Sequence, residues 1–225
     1  MISFQNVSVR YPLGNSALDG VSFDVEDGEF VYLVGPSGAG KTTILRLLLN
    51  DIQPSEGSIT VNDFEISKAK FKQATQLRRQ IGIVFQDFKI LPESNVFENI
   101  ALSMLVKGYQ KARIAKEVEE ALRLTDIANK KYLFPAQLSA GELQRVAIAR
   151  AVVGDRTIIL ADEPTGNLDP KTTWEVMKIF KKLGKKKTVL FATHNVDIVN
   201  SMKRRVIILK NGKLIKDKKK GGYEL

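Results

Sequence analysis

No cysteine occurs in the 225 residues. That absence excludes a disulfide framework, a thiolate metal site and a cysteine nucleophile together. Histidine is nearly as scarce: His194 stands alone, so a histidine-rich metal cluster is excluded too. Apolar runs such as Phe30 to Val34 and Ile158 to Ala161 are short. They fall far below the roughly 18 residues that a membrane span needs. Met1 to Asn6 lack the basic flank and apolar stretch of a secretion signal, so no export is expected.

What is present describes a folded domain. Hydrophobic residues make up 44% and charged residues 27%, enough apolar side chains for a real core. The length suits one domain with room for a small subdomain. Net charge is +10, but residues 181–225 hold fourteen Lys and Arg against three acids, and the body before them is nearly neutral. The basic character is a C-terminal feature.

Alternation from Ile2 to Val9 predicts a half-buried strand, with others at Val21 to Val25, Glu29 to Val34, Ser58 to Val61 and Ile81 to Phe85. The middle of the chain changes to helical spacing. It predicts helices over about 95–106 and 111–124, where Ile114, Val118, Ala121 and Leu122 form an apolar stripe. Further helices follow at about 140–153 and 170–183, around strands Thr157 to Ala161 and Thr188 to Ala192. A short helix is read at Val196 to Met202, then a hairpin turning at Asn211-Gly212. Alternating strands and helices imply an α/β core with a mainly parallel sheet.

Gly35-Pro36-Ser37-Gly38-Ala39-Gly40-Lys41-Thr42 matches the P-loop pattern, with a strand before it and a helix after. The glycines let backbone N–H groups turn around phosphate oxygens, and the helix N-terminus adds partial positive charge. Lys41 would reach the β- and γ-phosphates of a nucleotide, and the Thr42 hydroxyl would ligate Mg²⁺. A second element lies at Ile158 to Glu163, an apolar run ending in two acids. A buried carboxylate without a partner is costly, and Mg²⁺ would satisfy Asp162. Glu163 would then be placed to polarise an attacking water.

Leu138-Ser139-Ala140-Gly141-Glu142, followed by Gln144-Arg145-Val146, resembles the signature sequence of ATP-binding cassette ATPases, usually Leu-Ser-Gly-Gly then Gln or Glu. The same stretch reads locally as a capping box, Ser139 and Glu142 in S-x-x-E spacing before an apolar helix. Both readings stand, because in the family this helix start faces the γ-phosphate held by the opposite subunit. Gln86 resembles the glutamine-loop residue that senses Mg²⁺ and water and touches the membrane partner. Asp169 closes Gly166-Asn167-Leu168-Asp169, similar to the D-loop, and is locally a helix cap before Pro170. His194 resembles the switch histidine at the γ-phosphate. Tyr11 resembles the aromatic that stacks on adenine, the plain alternative being a strand-end tyrosine.

The resemblance covers about residues 1–216. It implies a P-loop core with a mainly parallel sheet, an N-terminal antiparallel β portion, and an α-helical subdomain inserted at about 90–155. Residues 217–225 are left as a basic tail. It further implies ATP and Mg²⁺ as ligands, ATP hydrolysis, and a head-to-tail homodimer formed on ATP binding. Under it, Gly35, Pro36, Ser37, Gly38, Ala39, Gly40, Lys41, Thr42 and Thr43 hold the nucleotide, and Thr42, Gln86 and Asp162 hold the metal. Glu163 acts with Lys41, Gln86 and His194 in hydrolysis. Ser139 and Gly141 come from the opposite copy, and Asp169 communicates across the dimer.

Within the family, Arg10-Tyr11-Pro12, Leu77 to Gly82, Phe85 to Phe88 and Ala161 to Asp169 look most like the bacterial cell-division branch. The lipoprotein-releasing and macrolide-export branches share Asp162 to Asp169 and stay open as the alternative. Either implies a separate integral membrane subunit and a place on the cytoplasmic face of the plasma membrane. Two departures stand out: Ala140 replaces the second glycine, and Leu143 sits where glutamine is common. Alanine is tolerable there only where φ is not positive, and slow hydrolysis is the expectation it raises. The basic tail reads either as solvated lysines or as attraction to anionic lipid. Nucleic acid is not expected as a partner, because cassettes that act on it generally carry two cassettes or long coiled-coil arms.

Overall fold

A computed structural model describes residues 1–11, 16–68 and 71–222. Pro12 of the Arg10-Tyr11-Pro12 stretch and residues 223–225 of the basic tail lie outside the described residues. A six-stranded sheet has the order β10 (Lys213–Lys218), β9 (Arg205–Lys210), β3 (Phe30–Val34), β8 (Thr188–Thr193), β7 (Ile158–Asp162), β6 (Ile81–Val84). Every neighbouring pair is parallel except β9 and β10, which turn at Asn211-Gly212. Both turn residues take positive φ, as a two-residue hairpin of this hand requires. A separate antiparallel sheet contains β2 (Ser16–Val25), β1 (Ile2–Arg10), β4 (Glu56–Val61) and β5 (Phe64–Glu65) in that order.

Strands β3 and β8 are buried along their whole length, the mark of central parallel strands covered on both faces. Val31, Leu33, Leu160 and Leu190 pack with α1 (Lys41–Leu48) and the antiparallel sheet. Tyr32, Val34, Ile159 and Phe191 join a second core built on four longer helices. These are α3 (Val96–Leu105), α4 (Lys111–Leu124), α5 (Ala140–Val152) and α6 (Pro170–Leu183). Three of the four starts have a side-chain cap. Asn95 with Glu98, and Ser139 with Glu142, close capping boxes on α3 and α5. Asp169 caps α6, with Pro170 in its first turn. In α4 the buried residues are the stripe read from the sequence, Ile114, Val118, Ala121 and Leu122.

Three features differ from the sequence expectation. Helix α2 (Ala74–Gln80) has no counterpart in the sequence pattern, because Leu77 is its one buried residue and no apolar stripe announces it. Strand β2 begins at Ser16 rather than Val21, paired to Arg10 and Val9. Strand β10 runs to Lys218, two residues into the stretch set apart as a tail. Asp217 pairs with Ile207 across the ladder and accepts from both Arg205 Nε (2.9 Å) and Nη2 (2.6 Å).

Helix α5 lies directly on β6. A Cβ built on Gly82 would stand 1.8 Å from the Ala151 carbonyl oxygen, closer than any real contact. Gly82→Ala must push helix and strand apart and should cost at least about 2–3 kcal/mol of stability in urea unfolding. An unchanged unfolding midpoint would contradict this packing.

Candidate functional site

The parallel register brings three chain segments to one edge of the sheet. Val34 pairs with Thr193 and Asp162 with Ala192, so β3, β8 and β7 end side by side. Gly35, His194 and Glu163 therefore leave neighbouring strands at the C-terminal edge, where α/β sheets bind ligands. A cavity of about 550 Å³ opens there, lined by residues 36–43, Ala17, Gln86, Asp162, Glu163 and His194.

The loop after β3 has the shape its glycines permit. Gly38 and Gly40 take φ of 75° and 105°, and a Cβ on Gly40 would lie 2.7 Å from Leu18 Cδ2. Among the described residues no side chain caps α1, which leaves its first N–H groups for an anion. Lys41 is only 7% exposed. Its Nζ donates to the Gly35 (2.7 Å) and Pro36 (3.1 Å) carbonyls and lies 3.6 Å from Glu163 Oε1.

Asp162 Oδ1 accepts from the Thr42 hydroxyl at 3.2 Å. Burial holds its carboxyl above the ordinary 3.8, against the Thr42 hydrogen bond and the Lys41 charge, while Glu163 raises it further. Glu163 adopts φ of 45°, a left-handed conformation that a glutamate rarely takes and that tends to occur at functional sites. Its N–H donates to Ala192 O and its carbonyl accepts from Gly166 N–H, both at 3.0 Å, which fixes that conformation. Its carboxylate meets His194 twice, with Oε1 2.9 Å from Nδ1 and Oε2 accepting from the backbone N–H at 3.3 Å. His194 is held in place although its side chain is 68% exposed.

Gln86 is bracketed by Asn167: its Nε2 donates to Asn167 Oδ1 (3.4 Å), and Asn167 Nδ2 donates back to the Gln86 carbonyl (3.2 Å). Asn167 lies within the D-loop-like stretch, and the sequence assigns it no task. A side-chain pair 81 residues apart in the chain leaves no local pattern to read.

The remaining expected residues stand elsewhere. Ser139 and Gly141 line a separate cavity of about 540 Å³ with Lys130, Glu142, Arg145 and Thr172. Ser139 is exposed, and its Oγ accepts from Glu142 N–H at 3.3 Å. Gly141 is demanded by packing, since a Cβ there would sit 2.3 Å from Thr172 Cγ2. Ala140 opens α5 without a positive φ, so its methyl carries no backbone strain. Asp169 is exposed and caps α6 through the Thr172 N–H at 3.0 Å. Tyr11 is 38% exposed just beyond β1 and lines neither cavity.

Fold and site together define a P-loop nucleotide-binding cassette, and the chain belongs to the ABC transporter family, which it matches over residues 18–166. It is 47% identical to the cell division ATP-binding protein FtsE of Bacillus subtilis (strain 168), across 99% of this chain and 98% of that protein. Identity to the FtsE of Escherichia coli (strain K12) is 40%, over 95% and 97%. Among solved structures, a dimeric bacterial ABC transporter cassette superposes with a TM-score of 0.88 at 35% identity, covering 99% of this chain and 100% of that one. A dimeric post-hydrolysis cassette bound to ADP and Pi gives 0.88 at 34% identity, with the same coverage.

The raised Asp162 carboxyl has a consequence for stability. Its charged form is disfavoured in the fold, so the cost is present above its folded pKa and gone below the ordinary aspartate value. Asp162→Asn should therefore raise the melting temperature of the nucleotide-free protein near neutral pH, with the gain shrinking as pH falls towards 4. A lower melting temperature, or a gain independent of pH, would contradict that assignment.

Proposed function

We propose that the chain is the ATP-hydrolysing subunit of a bacterial cell-division complex, converting ATP and water to ADP and phosphate at the edge of the parallel sheet. The observation that carries the catalytic reading is the convergence of Lys41, Thr42, Gln86, Asp162, Glu163 and His194 on one cavity. In this reading the free N–H groups of the loop and α1 cradle the phosphates, and Lys41 is the ammonium within reach of the β- and γ-phosphates. Glu163 polarises the attacking water, and the His194 contacts hold its carboxylate towards the cavity. Tyr11 would contact the adenine.

The donor set fits Mg²⁺. Among the described residues no cluster of three or more His, Cys, Asp or Glu could hold a metal. A cation that keeps waters and substrate phosphates needs only the Asp162 carboxylate, the Thr42 hydroxyl and the Gln86 amide oxygen. When bound, it would neutralise charge on the phosphate oxygens.

Ser139 and Gly141 line a different cavity of the same chain and need a second copy to meet the nucleotide. We therefore infer a head-to-tail homodimer on ATP binding, with Asp169 at its seam. Dimeric cassettes of the same fold support this. Likeness to division ATP-binding proteins over nearly the whole chain supports an FtsX-like integral membrane partner and a peripheral place on the cytoplasmic face of the membrane. Among the described residues no helix is long and apolar enough to cross a membrane.

Glu163→Gln should abolish turnover while leaving ATP binding intact. The ATP-locked variant, drawn from native membranes, should bring an FtsX-like subunit with it. Recovery of a lipoprotein or drug exporter subunit would move the function to transport, and undiminished hydrolysis would remove Glu163 from the reaction.

The basic C-terminus adds a lipid reading, in which exposed lysines draw the subunit to anionic headgroups. Because β10 runs to Lys218, truncation at 217 would cut the sheet, and substitution is the cleaner test. Exchanging the exposed Lys216, Lys219 and Lys220 for Gln should weaken low-salt binding to anionic vesicles about fivefold per lysine. Unchanged binding would leave these as ordinary solvated side chains.

A further inference from the structure

Arg150 stands on the last turn of α5 and serves no residue of the site directly. Its guanidinium donates through Nη1 to the Lys89 carbonyl (2.5 Å) and through Nη2 to the Phe88 carbonyl (2.7 Å). Phe88 and Lys89 are consecutive left-handed residues, with φ of 59° and 49°, and neither is glycine. A double left-handed step is unfavourable for side-chain-bearing residues and persists only where the surroundings hold it. Arg150 forms no ion pair with a carboxylate among the described residues. Its half-buried charge is directed at two backbone carbonyls, a fork geometry that arginine alone provides. The turn it grips begins two residues after Gln86.

At its other end, α5 begins with Ser139 and Gly141. Eleven residues at 1.5 Å each separate Ser139 from Arg150, about 16 Å of rigid helix. The helix also lies flat on β6, the strand that leads into Gln86. One element therefore carries the surface offered to a second copy and, through Arg150, the turn that aims Gln86 into the cavity.

We propose that Arg150 is a positioning residue that ties the place of Gln86 to the place of the Ser139 end of α5. This rests on the reading above that Gln86 takes part in hydrolysis. Arg150 touches neither nucleotide nor metal: it acts through the backbone of Phe88 and Lys89.

A double-mutant cycle on the full chain tests it, with ATP turnover and ATP affinity measured for wild type, Arg150→Met, Gln86→Ala and the double variant. Arg150→Met should lower kcat about tenfold, the scale of a small misplacement, and leave ATP affinity within about twofold. In the Gln86→Ala background the same change should cost less than about twofold, because the residue being positioned is gone. Equal losses in both backgrounds would overturn the proposal and make Arg150 a general packing residue. Full activity of Arg150→Met would overturn it as well. If Gln86→Ala alone turns over at the wild-type rate, the role of Gln86 itself fails, and that outcome is visible separately. Should Arg150→Met not fold, Arg150→Lys takes its place in the cycle. Its single ammonium satisfies one carbonyl at a time, so an intermediate loss should vanish in the same background.

Discussion

The parallel register of β3, β8 and β7 is the constraint on which the rest depends. Val34 opposite Thr193 and Asp162 opposite Ala192 put three strand ends in a row, one hydrogen-bonded step apart. The strands are held there by full burial on both faces, with aromatic contacts among Phe30, Tyr32, Phe180 and Phe191 filling one side. A one-residue slip would turn each side chain to the opposite face and separate Lys41 from Glu163. The site is thus a consequence of core packing as much as of its own hydrogen bonds.

Two features of the pocket are costly without ligand. Asp162 is a half-buried carboxylate whose charged form burial disfavours, and Glu163 carries backbone strain. Such costs are characteristic of sites prepared for a charged ligand, because a divalent cation would relieve the first. Lys41, its ammonium held by two carbonyl oxygens, lies 3.6 Å from Glu163. The second layer is mechanical. Asn167 brackets Gln86 from the side of α6, while α5 reaches the same loop through Arg150.

Much of this was legible in the sequence where cause and effect are neighbours in the chain. The P-loop is a strand, a glycine turn and a helix in succession, and Asp162 and Glu163 directly end an apolar strand. The α4 stripe needed only its periodicity, and the capping box of α5 only three-residue spacing. What escaped has no such local signal. Helix α2 buries one leucine, and β2 starts in the mixed stretch Ser16 to Gly20. The Gln86–Asn167 bracket and the Arg150 grip join residues 81 and about 60 positions apart, and only the folded chain brings them together.

The central claim is that the phosphate-binding face and the Ser139 face are two halves of one site, supplied by two copies. The absence of cysteine allows a clean measurement. Ser37→Cys and Ser139→Cys would be introduced together into the Glu163→Gln chain and treated with a short thiol cross-linker, with and without Mg·ATP. The account predicts a covalent dimer of twice 25.1 kDa that forms with Mg·ATP and not without it. A product linked only within one chain, or no dimer at any nucleotide concentration, would contradict it.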